Sequence, residues 1–412
     1  MIFELYIWIV SFALLYISVF WIIVSYSDSR KLSSFDDHGY PFLSIAVPTF
    51  NEEESILSTL ESLLHVNYPL ERFEVFVVDD ASTDTSASLV RKFIKKHSSF
   101  PLHLVRHSIN KGKAAALNSA LKEAQGEYFA VLDADSLISP DCFKVMLPRF
   151  DTNVAAVISS ISVYEPKTTV EKIQRFEYIL ASFMRNLMSA VDTLHTTPGV
   201  LSLYRCSLLR ELGGFDEHNL TEDYEIAMRL KYHHYDVRMC EKSITYTSVP
   251  PRLKGLWRQR VRWFRGFIHN NLLYRKMFLS KKHGLMGLFQ MPLNILSFVI
   301  VFLSLVLFLY EGIFFFYHFL LRLFFQGSDL LSFWKDLSLK EFLFLFNFKL
   351  HFPFLLLFLS GLYLYILAHR FSSEQWKFHF ATFIYLFLYP FIRSLQWTNA
   401  LLLELFGAQK KW

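Results

Sequence analysis

Four short polar runs stand out for the chemistry their side chains can do. Asp133-Ala134-Asp135 places two carboxylates at the end of an apolar run, Phe129 to Leu132. A hard divalent cation takes oxygen ligands and commonly bridges protein carboxylates to substrate phosphates. Asp79-Asp80 ends a second apolar run in the same way. Thr221-Glu222-Asp223 opens a helical run, Tyr224 to Lys231, and a carboxylate there suits a general base that takes a proton from a hydroxyl. Gln259-Arg260-Val261-Arg262-Trp263 lies in a basic, aromatic stretch from Arg252 to Arg265. Its Arg and Gln side chains suit a diphosphate, where charge-assisted bonds are strongest, and Trp263 suits stacking under a sugar ring.

Each run also has a structural use. Asp-x-Asp recurs by chance in many chains. Ser82 to Asp84 reads as a helix N-cap region. Thr221 followed by two acids is a good helix start in its own right. The stretch 252–265 reads as an interfacial helix whose arginines snorkel towards headgroups, with Trp257 and Trp263 at the boundary.

The elements that must position these residues alternate in type. Strands are expected at Leu43 to Val47, stopped by Pro48, at Glu74 to Val78, at His103 to Arg106 and at Tyr128 to Leu132. Between them, Asn51 to Leu64, Thr85 to Lys96 and Lys113 to Ala124 carry helical apolar spacing. Near-continuous apolar strands alternating with amphipathic helices predict an α/β domain, with a mainly parallel sheet covered by helices on both faces. Ligands in such sheets bind beyond the carboxyl ends of the strands. Thr49 to Glu53, Asp79 to Ser82 and Asp133 to Asp135 all fall at such ends, which makes that edge a candidate site.

The two ends of the chain are apolar. Leu5 to Tyr26 carries no charge, long enough to cross a hydrocarbon core of about 30 Å as a helix. A cleaved signal peptide has an apolar region of about 7–15 residues after a basic start, whereas here Glu4 precedes and Arg30 and Lys31 follow. The expectation is an uncleaved anchor with the next domain cytoplasmic. Leu293 to Tyr310, Phe352 to Ala368 and Phe378 to Phe406, bent near Pro390, are further spans, with Ile313 to Phe325 as a fourth. The charged 329–349 stretch reads as an outer loop or interfacial helix. Three later spans would leave the C-terminus outside and four inside, and Lys410 and Lys411 favour inside. The net charge of +5 sits largely beside these segments, which fits anionic headgroups and not a nucleic-acid groove. Cys142, Cys206 and Cys240 follow no zinc or redox spacing.

Taken together and in order, six pieces resemble the processive family 2 glycosyltransferases, the group of cellulose, chitin, hyaluronan and poly-N-acetylglucosamine synthases. They are Val47-Pro48-Thr49-Phe50-Asn51-Glu52, Val78-Asp79-Asp80-Ala81-Ser82, Asn110-Lys111-Gly112-Lys113, Asp133-Ala134-Asp135, Thr221-Glu222-Asp223 and Gln259-Arg260-Val261-Arg262-Trp263. The segment Gly199 to Tyr204 looks similar to the family's acceptor-side strand. The resemblance implies a GT-A fold and an inverting mechanism. By it, Phe50, Glu52 and Asp80 hold the uridine of a UDP-sugar, with Lys113 near the nucleotide. Asp133 and Asp135 bind the ribose–diphosphate and its Mg²⁺ or Mn²⁺. Asp223 is the base, Gln259, Arg260 and Arg262 face the leaving diphosphate, and Glu222 and Trp263 meet the acceptor. One departure is Ala81, where the family often has Gly. No extra regulatory domain is recognised, so control by a bound second messenger is not expected.

The resemblance therefore implies a multi-pass cell-membrane enzyme, with an anchor over 1–30, a catalytic domain over 40–250, an interfacial region over 251–283 and a membrane region over 284–412. Its partners would be a UDP-sugar, a growing polysaccharide or lipid-linked acceptor, membrane lipids and an accessory membrane subunit, with no nucleic acid. UDP-N-acetylglucosamine is the first donor to expect and UDP-glucose the second. The other readings are a transferase that adds one sugar to a lipid, and a nucleotide-sugar-binding transporter or scaffold, which would have no use for Asp223. A dinucleotide-binding module is disfavoured, since no glycine-rich fingerprint follows any expected strand.

Overall fold

The computed structural model describes residues 2–27, 39–326, 348–372 and 380–408. Helix α1 (Ile2–Ser27) leads into a sheet-based domain. There β1 (Leu43–Thr49), β2 (Phe73–Asp79), β3 (Leu102–Arg106) and β4 (Tyr128–Val131) are linked by α2 (Ile56–Leu64), α3 (Ser86–Lys96) and α4 (Lys113–Glu123). Then follow β5 (Ser136–Ile138), α5 (Cys142–Met146), β6 (Val154–Val163), α6 (Thr169–Ala190), β7 (Ser202–Arg205), α7 (Cys206–Glu211), α8 (Glu222–Tyr232), β8 (Asp236–Thr247) and α9 (Leu253–Leu273).

The strands form one eight-stranded sheet in the order β3-β2-β1-β4-β7-β6-β8-β5. Strands β3, β2, β1 and β4 are mutually parallel. The other half is not: β7 runs antiparallel to both β4 and β6, β8 is parallel to β6, and β5 is antiparallel to β8. The expected mainly parallel sheet is therefore a mixed one. Both faces are covered, as the apolar strands require. Leu43, Ile45, Val47, Val75 and Val77 pack with Ile56, Leu60 and Val90 on one side. Ala46, Phe76, Val78 and Val131 pack with Ala116, Leu117 and Ala120 on the other.

Pro48 does not stop β1, which continues to Thr49. Ala46 accepts the Leu132 N–H, so the 46 and 48 positions face β4. The β1–β4 ladder has ended at Ala46 and Val131, and the missing N–H of Pro48 costs no ladder bond. Helix α2 starts at Ile56, later than the expected Asn51, because Asn51 sits at φ +55°, outside helical space.

The apolar end segments are helical. Helix α10 (Met291–Gln326), preceded by a π turn at Met286–Gln290, joins the two stretches 293–310 and 313–325 into one helix. Helix α11 (Phe348–Phe371), α12 (Phe380–Phe383) and α13 (Tyr389–Leu405) follow. A π turn at Ile384–Leu388 makes the break expected near Pro390. Leu5–Ser27 and Met286–Leu303 are long and apolar enough to cross a membrane, and Leu355–Phe371 is a shorter apolar helix. Arg30, Lys31, Lys410, Lys411 and residues 329–347 of the expected outer loop lie outside the described residues. Helix α6 ties the sheet domain to the apolar helices. Its Ile179, Phe183 and Leu187 pack with Trp21 and Val24 of α1 and Ala368 of α11.

Candidate active site

The carboxyl ends of β1, β2 and β4 lie side by side, as the parallel register demands, and their loops are laced together. The Asn51 N–H donates to Ser82 Oγ (3.0 Å), the Glu52 N–H to Ser86 Oγ (2.8 Å) and the Glu53 N–H to Asp84 Oδ2 (3.1 Å). Ser82 and Ser86 thus serve the neighbouring loop rather than capping α3. Asp79 accepts the Ser82 N–H (3.0 Å). Asp80 is buried and accepts the N–H groups of Lys111 (2.9 Å) and Gly112 (2.7 Å), with His107 Nδ1 at 2.7 Å. It therefore fixes the turn that delivers Lys113 at the start of α4. His107 is a partner that the sequence reading missed.

Beyond these strand ends opens a cavity of about 470 Å³. Lys113, Asp133, Asp135, Glu222, Asp223, Gln259, Arg262 and Trp263 all line it. The ammonium of Lys113 lies 2.5 Å from Asp133 Oδ1 and 3.4 Å from Glu222 Oε1, so it joins the β4 acids to the α8 acids. Burial works against its charge, but Asp133, Glu222 and Asp223 hold its pKa above the usual lysine value. Gly199 makes room for this pair. A Cβ there would stand 2.3 Å from Lys113 Nζ and 2.9 Å from Asp133 Oδ1.

The acids differ in environment. Burial, then Asp133 and Glu52, push the Asp135 carboxyl up to about 7, against the pull of Lys113. Burial, then Glu222, push Asp223 up to about 6, opposed by Lys113, the Tyr224 N–H and Arg262. That N–H meets Asp223 Oδ1 at 2.8 Å, and Thr197 Oγ1 donates to the Asp223 carbonyl at 2.7 Å. Glu52, bonded by Ser55 Oγ (2.6 Å), is raised by burial and by Asp133. Among the described residues no group of three or more His, Cys, Asp or Glu side chains is set to hold a metal by itself.

Phe50, Glu52, Asp80 and Arg260 are not among the cavity-lining residues. Phe50 is exposed. Arg260 departs from the expectation that it faces a diphosphate. It is 1% exposed and spends its Nε and Nη2 on Glu177 (2.7 Å at closest) and its Nη1 on Gln259 Oε1 (2.6 Å). Its guanidinium stacks on Trp263 at 4.1 Å. Helical phase does not explain the split, since Trp263, Phe264 and Phe267, at i+3, i+4 and i+7 from Arg260, all line the cavity. The ion pair does, because Glu177 draws the Arg260 guanidinium to a buried carboxylate on α6.

Helix α6 supplies lining residues that sequence reasoning missed, among them Glu177, Tyr178 and Arg185. Glu177 also accepts from Tyr389 Oη of α13 (2.9 Å). Burial would raise its carboxyl, but Arg260 and then Arg393 hold it below the usual range. Arg185 has Ser182 Oγ as a partner (3.2 Å) and no carboxylate ion pair among the described residues. Burial lowers it to about 10. An amphipathic helix gives no sequence signal for such a role. Thr221 Oγ1 makes no capping bond and instead accepts from Asn270 Nδ2 of α9 (3.2 Å).

Known proteins resemble the chain in sequence and in fold. The family described as Glycosyl transferase family 2 matches residues 44–213. A poly-beta-1,6-N-acetyl-D-glucosamine synthase of Staphylococcus epidermidis is 31% identical over 227 residues, 54% of this chain. The chain thus spans about half of that relative's length (54%). The synthase of the same name from Staphylococcus aureus strain COL is 30% identical over 298 residues, 69% of each chain. In fold, the chain is similar to the mannosyltransferase PcManGT from Pyrobaculum calidifontis, solved with GDP-Man and Mn²⁺. The TM-score is 0.62 at 19% identity, covering 98% of this chain and 99% of that one. The mixed-sheet α/β domain is accordingly GT-A-like, and with two thirds of its length shared with the Staphylococcus aureus synthase, the chain belongs to glycosyl transferase family 2.

Proposed function

We propose that this family 2 glycosyltransferase is a membrane polysaccharide synthase, moving a sugar from a UDP-sugar to the hydroxyl of a growing chain with inversion. The observation that carries the reading is Lys113, set between Asp133 and Glu222 with Asp223 on the same cavity wall. One side of that lysine suits the nucleotide diphosphate and the other the acceptor. Asp223 takes the proton of the acceptor hydroxyl as its oxygen bonds to the anomeric carbon. The bond from that carbon to the diphosphate oxygen breaks, and the negative charge leaves with UDP. Lys113, Arg262 and Arg185 meet that charge, which preorganised cations stabilise best in a water-poor site. Arg260 instead holds Gln259 and Trp263 in place, and Trp263 stacks under the acceptor ring. Phe50 and Glu52 flank the uridine, and Asp80 shapes the turn beside it.

A Mg²⁺ or Mn²⁺ ion fits Asp133 and Asp135. Two carboxylates with substrate phosphates are a usual Mg²⁺ set, and burial beside Asp133 and Glu52 raises the Asp135 carboxyl against the pull of Lys113. Such an ion would neutralise charge on the diphosphate. The names of the staphylococcal relatives support N-acetylglucosamine as the sugar and polymer as the product. The apolar helices Leu5–Ser27 and Met286–Leu303 support a cell-membrane location, Arg30 and Lys31 after the first of them support a cytoplasmic sheet domain, and the polymer is extruded as it grows.

The test is product formation by membranes given a panel of UDP-sugars with Mg²⁺ or Mn²⁺, beside Asp223→Asn. Long polymer from UDP-N-acetylglucosamine, reduced about 10²- to 10⁴-fold in the variant, is expected. One sugar on lipid would make the enzyme non-processive. Unchanged behaviour of Asp223→Asn would return the chain to a binding or transport role.

A further inference from the structure

Polar side chains are costly on a helix apolar enough for a membrane, and there they hydrogen-bond to other helices. Gln290 and Asn294, at the start of the apolar stretch Met286–Leu303, are both buried. Gln290 Nε2 donates to Asn294 Oδ1 (2.8 Å), and Asn294 Nδ2 donates to Asn271 Oδ1 of α9 (3.1 Å). Asn271 Nδ2 donates in turn to Tyr224 Oη (3.0 Å), and the Tyr224 N–H holds Asp223 Oδ1 (2.8 Å). The second Asn294 proton reaches towards His195 Nε2 (3.4 Å). The ring's Nδ1 is spent on the Thr193 carbonyl (2.8 Å), and burial keeps the imidazole neutral.

The preceding residue on α9 grips the other side of the same turn. Asn270 exchanges amide bonds with Asn219 (2.8 and 3.1 Å) and donates to Thr221 Oγ1. The helix comes this close because Gly266 has no side chain, and a Cβ there would stand 2.1 Å from Thr221 Oγ1. Residues 219–224 are thus clamped from both ends by adjacent asparagines of one helix, and one of these is tied to the apolar helix beyond.

We infer that Asn271 and Asn294 are positioning residues that set the carboxylate of Asp223 through Tyr224, making the apolar helix part of the catalytic frame. This rests on the reading of Asp223 as the base. Asn271 Nδ2 also donates to the Phe267 carbonyl one turn back (2.8 Å), which fixes the plane of its amide, so a displacement at Asn294 is passed on to Tyr224. Misplacement of a reacting group by about 1 Å is enough to cost up to about 10²-fold in rate.

The experiment compares full-length Asn294→Leu, Tyr224→Phe and the double variant in membranes. Tyr224→Phe removes one hydroxyl and keeps the ring, so it reports even where Asn294→Leu folds poorly. Each single change is expected to lower kcat about tenfold with the donor KM held within about twofold. The double variant should be no worse than the poorer single, since both cut one chain. The acid limb of the rate profile should also rise, because weakening the Tyr224 N–H bond favours the protonated carboxyl. The titratable groups facing Asp223 from α4, α6, β7, α8 and α9, namely Lys113, Arg185, Tyr204, Glu222 and Arg262, stay unchanged. Wild-type kcat and an unmoved limb in Tyr224→Phe, or losses that multiply in the double variant, overturn the inference. If Asp223→Asn is inactive in the same membranes, only the network has failed. If it is active, the base reading falls and takes the network with it.

Discussion

The two walls of the cavity are made differently. On the strand side, Asp133 and Asp135 follow the end of β4, ladder bonds set β4 beside β1 and β2, and Asp80 at the end of β2 fixes the turn that delivers Lys113. On the helix side, α6, α8 and α9 are held by side chains. Glu177 joins Arg260 of α9 to Tyr389 of α13, and Asn271 joins Tyr224 of α8 to Asn294 of α10. The strand wall is rigid by backbone register. The helix wall is only as well placed as the apolar helices it leans on. Changes on the first side should therefore act locally on activity, and changes on the second should reach stability and activity together.

The largest effect should come from Glu177→Gln. It leaves Arg260, 1% exposed, without its carboxylate, and breaking a buried pair from one side costs about 3–5 kcal/mol. Thermal unfolding in detergent should show it, with activity lost in parallel. A near-native Tm would mean that the helix wall does not depend on this pair. Next, Gly199→Ala should lower kcat/KM by about 10²-fold with little change in Tm. The new methyl meets the mobile end of Lys113 and the Asp133 carboxylate, not packed backbone. A Tm loss without a kinetic one would reverse the comparison.

Asp223 sharpens it through pH. Its carboxyl, at about 6 in place of 3.8, must ionise to act as base, so the rate should fall about tenfold per pH unit below that value. Stability from this group runs the other way. Because the folded pKa is the higher one, its contribution is present below 3.8 and is lost as pH rises through about 6. A pH-rate profile and unfolding curves over that range test both, and a flat profile down to pH 5 would dismiss Asp223 as the base. The smallest effect is expected at Ala81, at φ +61°. Left-handed backbone costs a non-glycine residue roughly 1–2 kcal/mol, offset in part by the chain entropy of glycine. Ala81→Gly should stabilise by up to about 1 kcal/mol and leave kcat unchanged.

The strand wall was readable in the sequence because short near-continuous apolar runs between amphipathic helices mark buried parallel strands, and acids directly after them mark one sheet edge. Asp80 and Asp133 came from that logic and Lys113 from the family resemblance, and the Gly that the family often has at position 81 has its reason in the left-handed turn. The helix wall was less readable. Glu177 and Arg185 look like ordinary polar positions of an amphipathic helix until α6 is placed over the cavity. The antiparallel β7 depends on long-range pairing, which local pattern does not encode. Arg260 is the instructive case. The motif suggested that all its polar residues act on the ligand, yet Arg260 is paired with Glu177 and does not line the cavity beside Gln259, Arg262 and Trp263.

Helix α10 has 36 residues and is therefore about 54 Å long at 1.5 Å per residue. Only the 18-residue apolar stretch at its start, Met286–Leu303, about 27 Å, is matched to a bilayer core of about 30 Å. Lipid thicker or thinner than that stretch makes the helix tilt or the bilayer deform. In the membrane reading its first turn, bearing Asn294, is fastened to the catalytic frame while the stretch beyond answers to the lipid. Acyl-chain length then becomes a variable of the enzyme. Reconstitution in thin and thick bilayers should change turnover in wild type and much less in Asn294→Leu, where the lever has been unhooked.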